Sequence, residues 1–491
     1  MKDRLVLVTG AAGYIASRLI PRLLAGGWKV RAMARDVQSI NRRGWFQQVE
    51  AYAADVTRAS TLPAALNGVY AAYYLIHNMN LGRGYQVKEL EGARAFAVAA
   101  REAGVQHIIY LGGLADPHAP IAPHLRSRIE TGRALAEAGV PVTEFRTGAI
   151  IGSGSISFEM IRFVTELFPI LIGPVWLKNL SQPIATENVI DYLAAALTRD
   201  AARSRIFEIG GPQVSSYHEL MLRYARLRRL NRRILMVPIL PLALMAWGVD
   251  LVTPVPRPIA YALIGGLAND SIVTDDSARR EFPDISLIDF DQAAVAALDQ
   301  LHPDRIEPVW RDSRRTTSSV KHEGFFIIHH ETTVAATPEN IFAVLETLGG
   351  EQGWPYANWL WRLRGWLDRL VSPRKHNTRD GTAPASISTS HGDPKISVGD
   401  SLDFYRVEAV SPDRLLLHSE LKVPGEGWME WRLSTDTGTP TLHTELIQTG
   451  YFAPRGVPGF IYWVILYPFH SLVLRGLLKT IKGKAERGLE A

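Results

Sequence analysis

Short apolar runs alternate with amphipathic stretches through the first half of the chain. Residues 5–9 (LVLVT) form a compact β-type run, and 16–24 carry a helical pattern that ends at Gly26-Gly27. Further strand-like runs fall at 28–34, 49–53, 71–76, 107–111 and 142–145, with helical patterns at 62–66, 89–103 and 128–138. Short strands alternating with helices predict βαβ units and a parallel sheet covered on both faces. The alternation stops after Ile150. A strand-to-helix unit at 182–191, a strand at 205–210 closed by Gly-Gly-Pro, a helix from Tyr217 and a last helix at 290–301 predict a smaller lobe attached to the sheet.

The pattern changes again at His302. Residues 302–322 are polar, charged and rich in Ser and Thr, which predicts a linker. Beyond it, 325–334 alternates as a strand, and Pro338 stands at a first-turn helix position. Strand-like runs follow at 401–410, 414–420, 427–433 and 441–449, and an apolar helix at 460–481 closes the pattern. Strands between two helices predict a curved antiparallel sheet gripping a helix. The expected division is therefore 1–301, a linker at 302–322, and a second domain at 323–491.

Two stretches, 234–249 and 457–478, are unusually apolar. Pro238 and Pro241 interrupt the first, and Pro458, Pro468, His470 and Arg475 the second. A spanning helix wants about 20 mostly apolar residues, so both are expected to be buried helices. Tyr462, Trp463 and Tyr467 are interfacial residue types, which leaves peripheral membrane contact open. The N-terminus, MKDRLVLVTG, has a basic start and an apolar run, but Gly-Ala-Ala-Gly breaks it, which argues against a signal peptide.

Composition narrows the chemistry. A length of 491 residues allows two or three domains at roughly 150 residues each. The 47% hydrophobic and 21% charged content is that of a globular protein, which excludes collagen-like, disordered and coiled-coil classes. Cysteine is absent, which removes disulfides, thiolate nucleophiles, Cys-ligated zinc and iron–sulfur clusters. Any redox role must then rest on a bound cofactor. The net charge of +5 is scattered rather than concentrated, so no nucleic-acid partner is expected. His329 and His330 are adjacent on a strand and face opposite ways, so no metal site is assigned.

The strongest local signal is Thr9-Gly10-Ala11-Ala12-Gly13-Tyr14-Ile15-Ala16, set between the first strand and the first helix. Gly10 permits a tight turn, Gly13 lets backbone approach a pyrophosphate, and Ala16 allows close helix–strand packing. The helix N-terminus offers N–H groups and a positive dipole end to the anion. The Gly-x-x-Gly-x-x-Ala spacing resembles the extended and atypical short-chain dehydrogenase/reductases, especially the NmrA-like NAD(P)-binding branch. The resemblance covers roughly 4–301. It implies an α/β fold with a Rossmann-type doubly wound parallel sheet and a bound dinucleotide. Arg35 stands at the tip of the second strand, with Arg31 nearby. An acid there would bind a ribose 2′-hydroxyl, whereas an arginine suits a 2′-phosphate. Asp36 falls one residue late for the acid, so NADP is expected ahead of NAD. Asp55-Val56 resembles the family's adenine-contacting position. Leu75-Ile76-His77 would line the dinucleotide cleft, although His77 also suits a capping or packing role.

The resemblance weakens at the reacting centre. The superfamily transfers hydride with Tyr-x-x-x-Lys on one helix face and a Ser near the fifth strand. Here Tyr110-Leu111-Gly112-Gly113-Leu114 puts glycine at the serine position, with Gly112 against the cofactor. His124 and Arg128 have the Tyr–Lys spacing. His124 is the candidate proton donor, and Arg128 the group that holds ribose hydroxyls or phosphate, though arginine cannot titrate as lysine does. The loop 146–155 borders nicotinamide and substrate in relatives, which makes Gly152 and Ser153 candidate substrate contacts.

The aromatic run 354–368, with Trp354 and Tyr356, resembles a module of unknown function (the DUF2867 type) fused to NmrA-like domains in bacteria. The element order also resembles helix-grip, START-like α+β folds, which enclose an apolar cavity for lipidic or aromatic ligands. Trp354 and Tyr356 are expected on its wall, with a plain core or interface role left open. The resemblance implies an NADP(H)-dependent oxidoreductase acting on an apolar carbonyl, quinone-like or lipidic substrate. A non-catalytic redox sensor or assembly factor, and an epimerase or dehydratase, remain alternatives. The expected location is the cytoplasm, with the inner membrane face open.

Overall fold

A computed structural model describes residues 4–487 apart from 42, 78–83, 117–119, 200–201, 239, 253–256, 305–316, 323–324, 349–353, 358, 361–395 and 436–442. The chain divides into two compact units, Met1–Arg311 and Asp312–Ala491.

The first unit is built on a parallel sheet of seven strands. Six are β1 (Leu5–Thr9), β2 (Lys29–Ala34), β3 (Glu50–Ala53), β4 (Val69–Tyr74), β5 (His107–Gly113) and β6 (Val142–Thr147). The seventh is Arg205–Ile209, and the order across the sheet is Arg205–Ile209, β6, β5, β4, β1, β2, β3. The chain thus starts in mid-sheet, runs out to β3, and returns to the other side of β1. The direction reverses between β1 and β4, where such sheets form a crevice at their carboxyl ends. Helices α1 (Tyr14–Ala25), α2 (Leu62–Leu66), α3 (Tyr85–Glu102) and α4 (Pro123–Ala136) make the crossovers.

β1 is apolar on both faces because both are covered. Val6 and Val8 enter one core together with Leu19, Ile20 and Leu23 of α1. Leu7 points the other way, into a core with Phe96 and Ala97 of α3. The buried α1 residues Ala16, Leu19, Ile20 and Leu23 follow helical spacing. Each fully buried aliphatic side chain contributes about 1.5–3 kcal/mol relative to exposure.

Buried His107 on β5 gives this unit an acid-sensitive point. Its Nε2 lies 2.8 Å from Thr143 Oγ1. Burial lowers its pKa from 6.5 to about 4. The unfolded chain therefore binds a proton that the folded one refuses. The stabilising effect is full above pH 6.5 and is lost as pH falls from there through about 4, up to about 3 kcal/mol. Urea midpoints measured across that window should fall more steeply for the wild type than for His107→Gln. Identical slopes would remove His107 as the source.

The attached lobe corrects one expectation. Residues 234–249 are not one buried helix. Residues 233–237 form a strand, Arg233–Val237, parallel to Ile170–Pro174. The helix begins at Leu242, where Pro241 O accepts from Leu244 N and Met245 N. Pro238 and Pro241 cannot donate to a ladder or to a helical turn, so they separate the two elements. Leu244 and Trp247 are about half exposed rather than buried.

The second unit is α+β and helix-grip-like. Its seven antiparallel strands run in the order Thr317–His322, Phe325–Val334, Thr444–Pro454, Gly425–Thr435, Arg414–Ser419, Tyr405–Ser411, Ser401–Leu402. The helix Gly456–Arg487 packs on this sheet, with Trp463 stacked on Phe326 and Phe452 at ring-centre distances of 5.4 and 5.6 Å. Two expectations change here. Thr317–His322 lies within the stretch expected to be linker, yet it pairs with Phe325–Val334. The stretch 457–478 is helical but not buried throughout, because only one side faces the sheet.

Candidate functional site

The glycine loop follows the last residue of β1. Gly10 has φ +64°, and a methyl group built on it would lie 3.1 Å from the Leu75 carbonyl oxygen. Gly13 N donates to Gly10 O at 2.7 Å and caps α1 with its backbone alone. No side chain caps the first turn of α1, so its N–H groups face the loop. Thr9 Oγ1 accepts from Leu75 N at 3.0 Å, which ties the end of β1 to the end of β4. Thr9, Gly10, Leu75 and Ile76 therefore meet at the switch point of the sheet. This cradle, closed to a Cβ and lined by backbone N–H, fits a dinucleotide pyrophosphate.

The remaining cofactor candidates spread around the cradle. Arg35 and Asp36 follow β2 and are exposed. The Asp36 carboxylate accepts from Gln38 N, so it is spent on the local turn. Arg31 is committed elsewhere: it donates to the Ala65 and Asn67 carbonyls and pairs with Glu50 at 2.9 Å. Asp55 turns inward on its own loop, accepting from the Thr57 N–H and hydroxyl at 2.9 Å. Val56 packs over Gly92 of α3. His77 is exposed at the end of β4. Ala12 is exposed on the loop, and its carbonyl accepts from Arg43 at 3.3 Å. Arg43 is a cation beside the loop that no spacing rule flagged, because the loop between β2 and β3 has no fixed length.

A second group forms at the ends of β5 and β6. Arg128 of α4 donates to the Leu111 carbonyl at 2.8 Å and packs over Gly113. Any Cβ on Gly113 would stand 3.0 Å from Leu125 and 3.3 Å from Arg128. A Cβ on Gly112 would stand 3.0 Å from Glu144 Oε1. Glu144 is buried and paired with Arg146 at 2.7 Å. The space a serine would need is thus filled by a buried ion pair and by Arg128.

His124 lies one turn before Arg128 and is 6% exposed. Its ring rests against Gly266 of the helix Arg257–Gly266, where a methyl group would come within 2.6 Å of it. Its Nδ1 has no hydrogen-bond partner among the described residues. Burial, helped by the positive charge of Arg128, lowers its pKa to about 4. That shift favours the uncharged imidazole at neutral pH.

The second group, with His124, borders a cavity of about 590 Å³ at the carboxyl ends of β5 and β6. Gly113, His124, Arg128 and Thr147 form its polar end. The rest is mostly apolar, with Met160, Ile161 and Leu263 among the wall residues beside Ser157, Tyr217 and Ser271. Ile170, Ile172, Leu244 and Trp247 line it while remaining more than half exposed to solvent.

Gly152 and Ser153 are not on this wall. Gly152 sits where a methyl group would collide with Thr186 Oγ1. Ser153 O accepts from Arg18 at 3.1 Å, and Tyr14 OH lies 3.0 Å from Thr186 Oγ1. This stretch therefore packs on the start of α1, beside Tyr14 and Arg18. Thr147 through Ile150 line the cavity instead, because the chain has passed the strand end before it reaches Gly152. In the second unit, Trp354 and Tyr356 are not on the wall of that unit's own cavity. Trp354 Nε1 donates to Asp403 at 2.6 Å, and the Tyr356 ring packs on Gly476. That cavity, of about 300 Å³, is walled by Trp428, Tyr451, Tyr462 and Phe469, among others. Among the described residues, no group of three His, Asp or Glu side chains could hold a metal ion.

Residues 2–160 match the NmrA-like family, and residues 327–477 match a protein family of unknown function, DUF2867. Cinnamoyl-CoA reductase 1 of Oryza sativa subsp. japonica is 28% identical over 123 residues, covering 24% of this chain and 36% of that protein. A 3 beta-hydroxysteroid dehydrogenase/Delta 5-->4-isomerase of Mycobacterium tuberculosis is 30% identical over 115 residues, covering 21% of this chain and 30% of that protein. The chain thus spans about a third of the length of these relatives. The solved triphenylmethane reductase of Citrobacter sp. aligns at 19% identity and TM-score 0.49, over 60% of this chain and 99% of that one. An NADPH-dependent quinone oxidoreductase of Escherichia coli aligns at 18% identity and TM-score 0.49, over 59% and 98%.

Proposed function

With an NmrA-like NAD(P)-binding domain at residues 2–160 and a DUF2867 domain at 327–477, we propose that the chain is an NADP(H)-dependent oxidoreductase acting on an apolar carbonyl or quinone-like substrate. The observation that carries this reading is the largely apolar cavity lined by His124 and Arg128. A nicotinamide, when bound, supplies the hydride. The residues of the chain do the rest. The glycine loop and the first turn of α1 hold the pyrophosphate through backbone N–H groups. Arg35 pairs with a 2′-phosphate, and Arg43 adds positive charge beside Ala12. Arg128, fixed by the Leu111 carbonyl, holds ribose hydroxyls. Neutral His124 donates a hydrogen bond to the substrate oxygen as negative charge gathers there. The proton that completes the product comes from solvent. The apolar wall selects a substrate with little polar surface, and the open side of the cavity leaves solvent within reach of the product.

The test is NADPH oxidation by the full chain across a panel of apolar ketones, aldehydes and quinones. Turnover of at least one, faster with NADPH than with NADH, is the expected result. Arg35→Ala should weaken NADPH binding about tenfold and leave NADH binding unchanged, as read by fluorescence titration. Equal loss for both cofactors would remove Arg35 from the 2′-phosphate. A second reading, a dinucleotide sensor without turnover, is supported by the lack of a titrating lysine and by the neutral His124. Tight NADP(H) binding with no oxidation across the panel would favour it. The cytoplasm, with contact at the inner membrane face, is the location that suits either reading.

A further inference from the structure

The helix Gly456–Arg487 has two unlike sides. Trp463, Leu474, Leu477 and Ile481 are buried on the inner side. On the outer side, Ile461, Val464, Ile465, Phe469 and Leu472 are 49–62% exposed. Their spacing follows one helical stripe. Arg475 and Lys479 continue that stripe toward the C-terminus, and both are exposed. Neither has an ion-pair partner among the described residues. The helix carries one acid, Glu486, which accepts from Ala335 N and lies 3.7 Å from Lys482. An apolar stripe followed by unpaired cations, with no exposed acid to repel phosphates, is the pattern of an interfacial helix.

We propose that this outer face docks on a bilayer surface that carries anionic lipid. The stripe from Ile461 to Leu472 enters the acyl boundary, and Arg475 and Lys479 meet the headgroups. The helix lies flat on the surface. Spanning the bilayer would strip Trp463, Leu474 and Leu477 from the sheet they pack on. A second copy of the chain fits the face less well. A two-fold pair of helices would set Arg475 and Lys479 either against each other or against the apolar end of the partner. Phe469 also walls the second unit's cavity of about 300 Å³, so the docked face and that cavity share a side chain. The docking rests on the membrane-contact part of the reading above and not on its oxidoreductase part.

The experiment is sedimentation of the purified full chain with vesicles, without substrate. One set is phosphatidylcholine, and the other is phosphatidylcholine with phosphatidylglycerol. Binding to the anionic vesicles should be about tenfold tighter or more. Ile465→Glu/Leu472→Glu should abolish sedimentation with both sets. Arg475→Glu/Lys479→Glu should remove only the preference for anionic vesicles. Both double variants lie outside the cofactor site and should keep wild-type NADPH affinity and thermal melts. If the Glu pair lowers the melt, Ile465→Ser/Leu472→Ser replaces it. No sedimentation of the wild type, or equal sedimentation of the apolar-stripe variant, overturns the proposal. Bound protein that resists alkaline carbonate would make the helix a span instead. A solution dimer that the same variant dissociates would make the face a contact between copies. Loss of vesicle binding with NADPH turnover intact sinks only the docking, and the reverse sinks only the enzyme reading.

Discussion

Gly10→Val is expected to weaken NADPH binding about 100-fold or more, while the rest of the first unit stays folded. Gly10 sits at φ +64°, a region that costs an L-residue about 1–2 kcal/mol, and more when it is β-branched. The new side chain would also press on the Leu75 carbonyl, 3.1 Å from the Cβ position. The loop could relieve that contact only by moving off β4, which takes its N–H groups away from the phosphates. Gly10→Ala should lose less, because it adds strain without branching. Isothermal titration with NADPH, beside far-UV circular dichroism, reads both effects. A dissociation constant within about twofold of wild type would show that the loop does not hold the dinucleotide.

His124→Ala should lower kcat/KM by about 10²–10³ with any carbonyl or quinone that the wild type reduces. NADPH affinity should not change, because the ring faces the cavity wall and not the glycine loop. His124→Gln keeps an N–H donor and should retain more activity than Ala. The pH profile separates two roles. The imidazole titrates near 4, so its neutral, hydrogen-bonding form persists at all higher pH. Activity should therefore show no break near 6.5 that belongs to His124. If the ring acted as a cationic proton donor, the rate would fall as pH rose through its pKa. A fall centred near 6.5 that His124→Gln abolishes would refute the neutral-donor role.

Much of the fold was legible in the pattern, for a local reason. β1, β2, β4 and β5 are short apolar runs between helices, and their burial on both faces makes that run readable without knowing the neighbours. The glycine loop was legible because Gly10 and Gly13 mark backbone positions that other residues cannot take. Pro238 and Pro241 were visible as interruptions, but the strand Arg233–Val237 was not. Its partner, Ile170–Pro174, lies far away in sequence. Thr317–His322 reads as linker because it is polar, yet it is a strand paired with Phe325–Val334. A strand at the edge of a sheet can be polar when one of its sides meets solvent.

The candidate site divides the same way. Arg35 was placed by its distance from the end of β2, a local measure. Gly152 and Ser153 follow the turn after Ile150, which packs them on the start of α1 rather than on the cavity wall, and no local pattern marks that turn. Trp354 and Tyr356 stand in a dense aromatic run, yet density does not say where a ring packs: one bonds Asp403 and the other rests on Gly476. Arg43 and Gly266 had no local mark at all.

What the sequence determined by itself is therefore the set of parts: a parallel α/β unit with a dinucleotide loop, a helix-grip unit, and no thiol chemistry. Those follow from periodicity, backbone-restricted glycines and composition, which act over a few residues. Only the tertiary structure decided how the parts are used. It put a buried ion pair where a serine would stand, buried His124 one turn from Arg128, and turned half of an apolar helix outward. Each of these depends on which distant side chain fills a given space, and packing settles that only when the whole chain has folded.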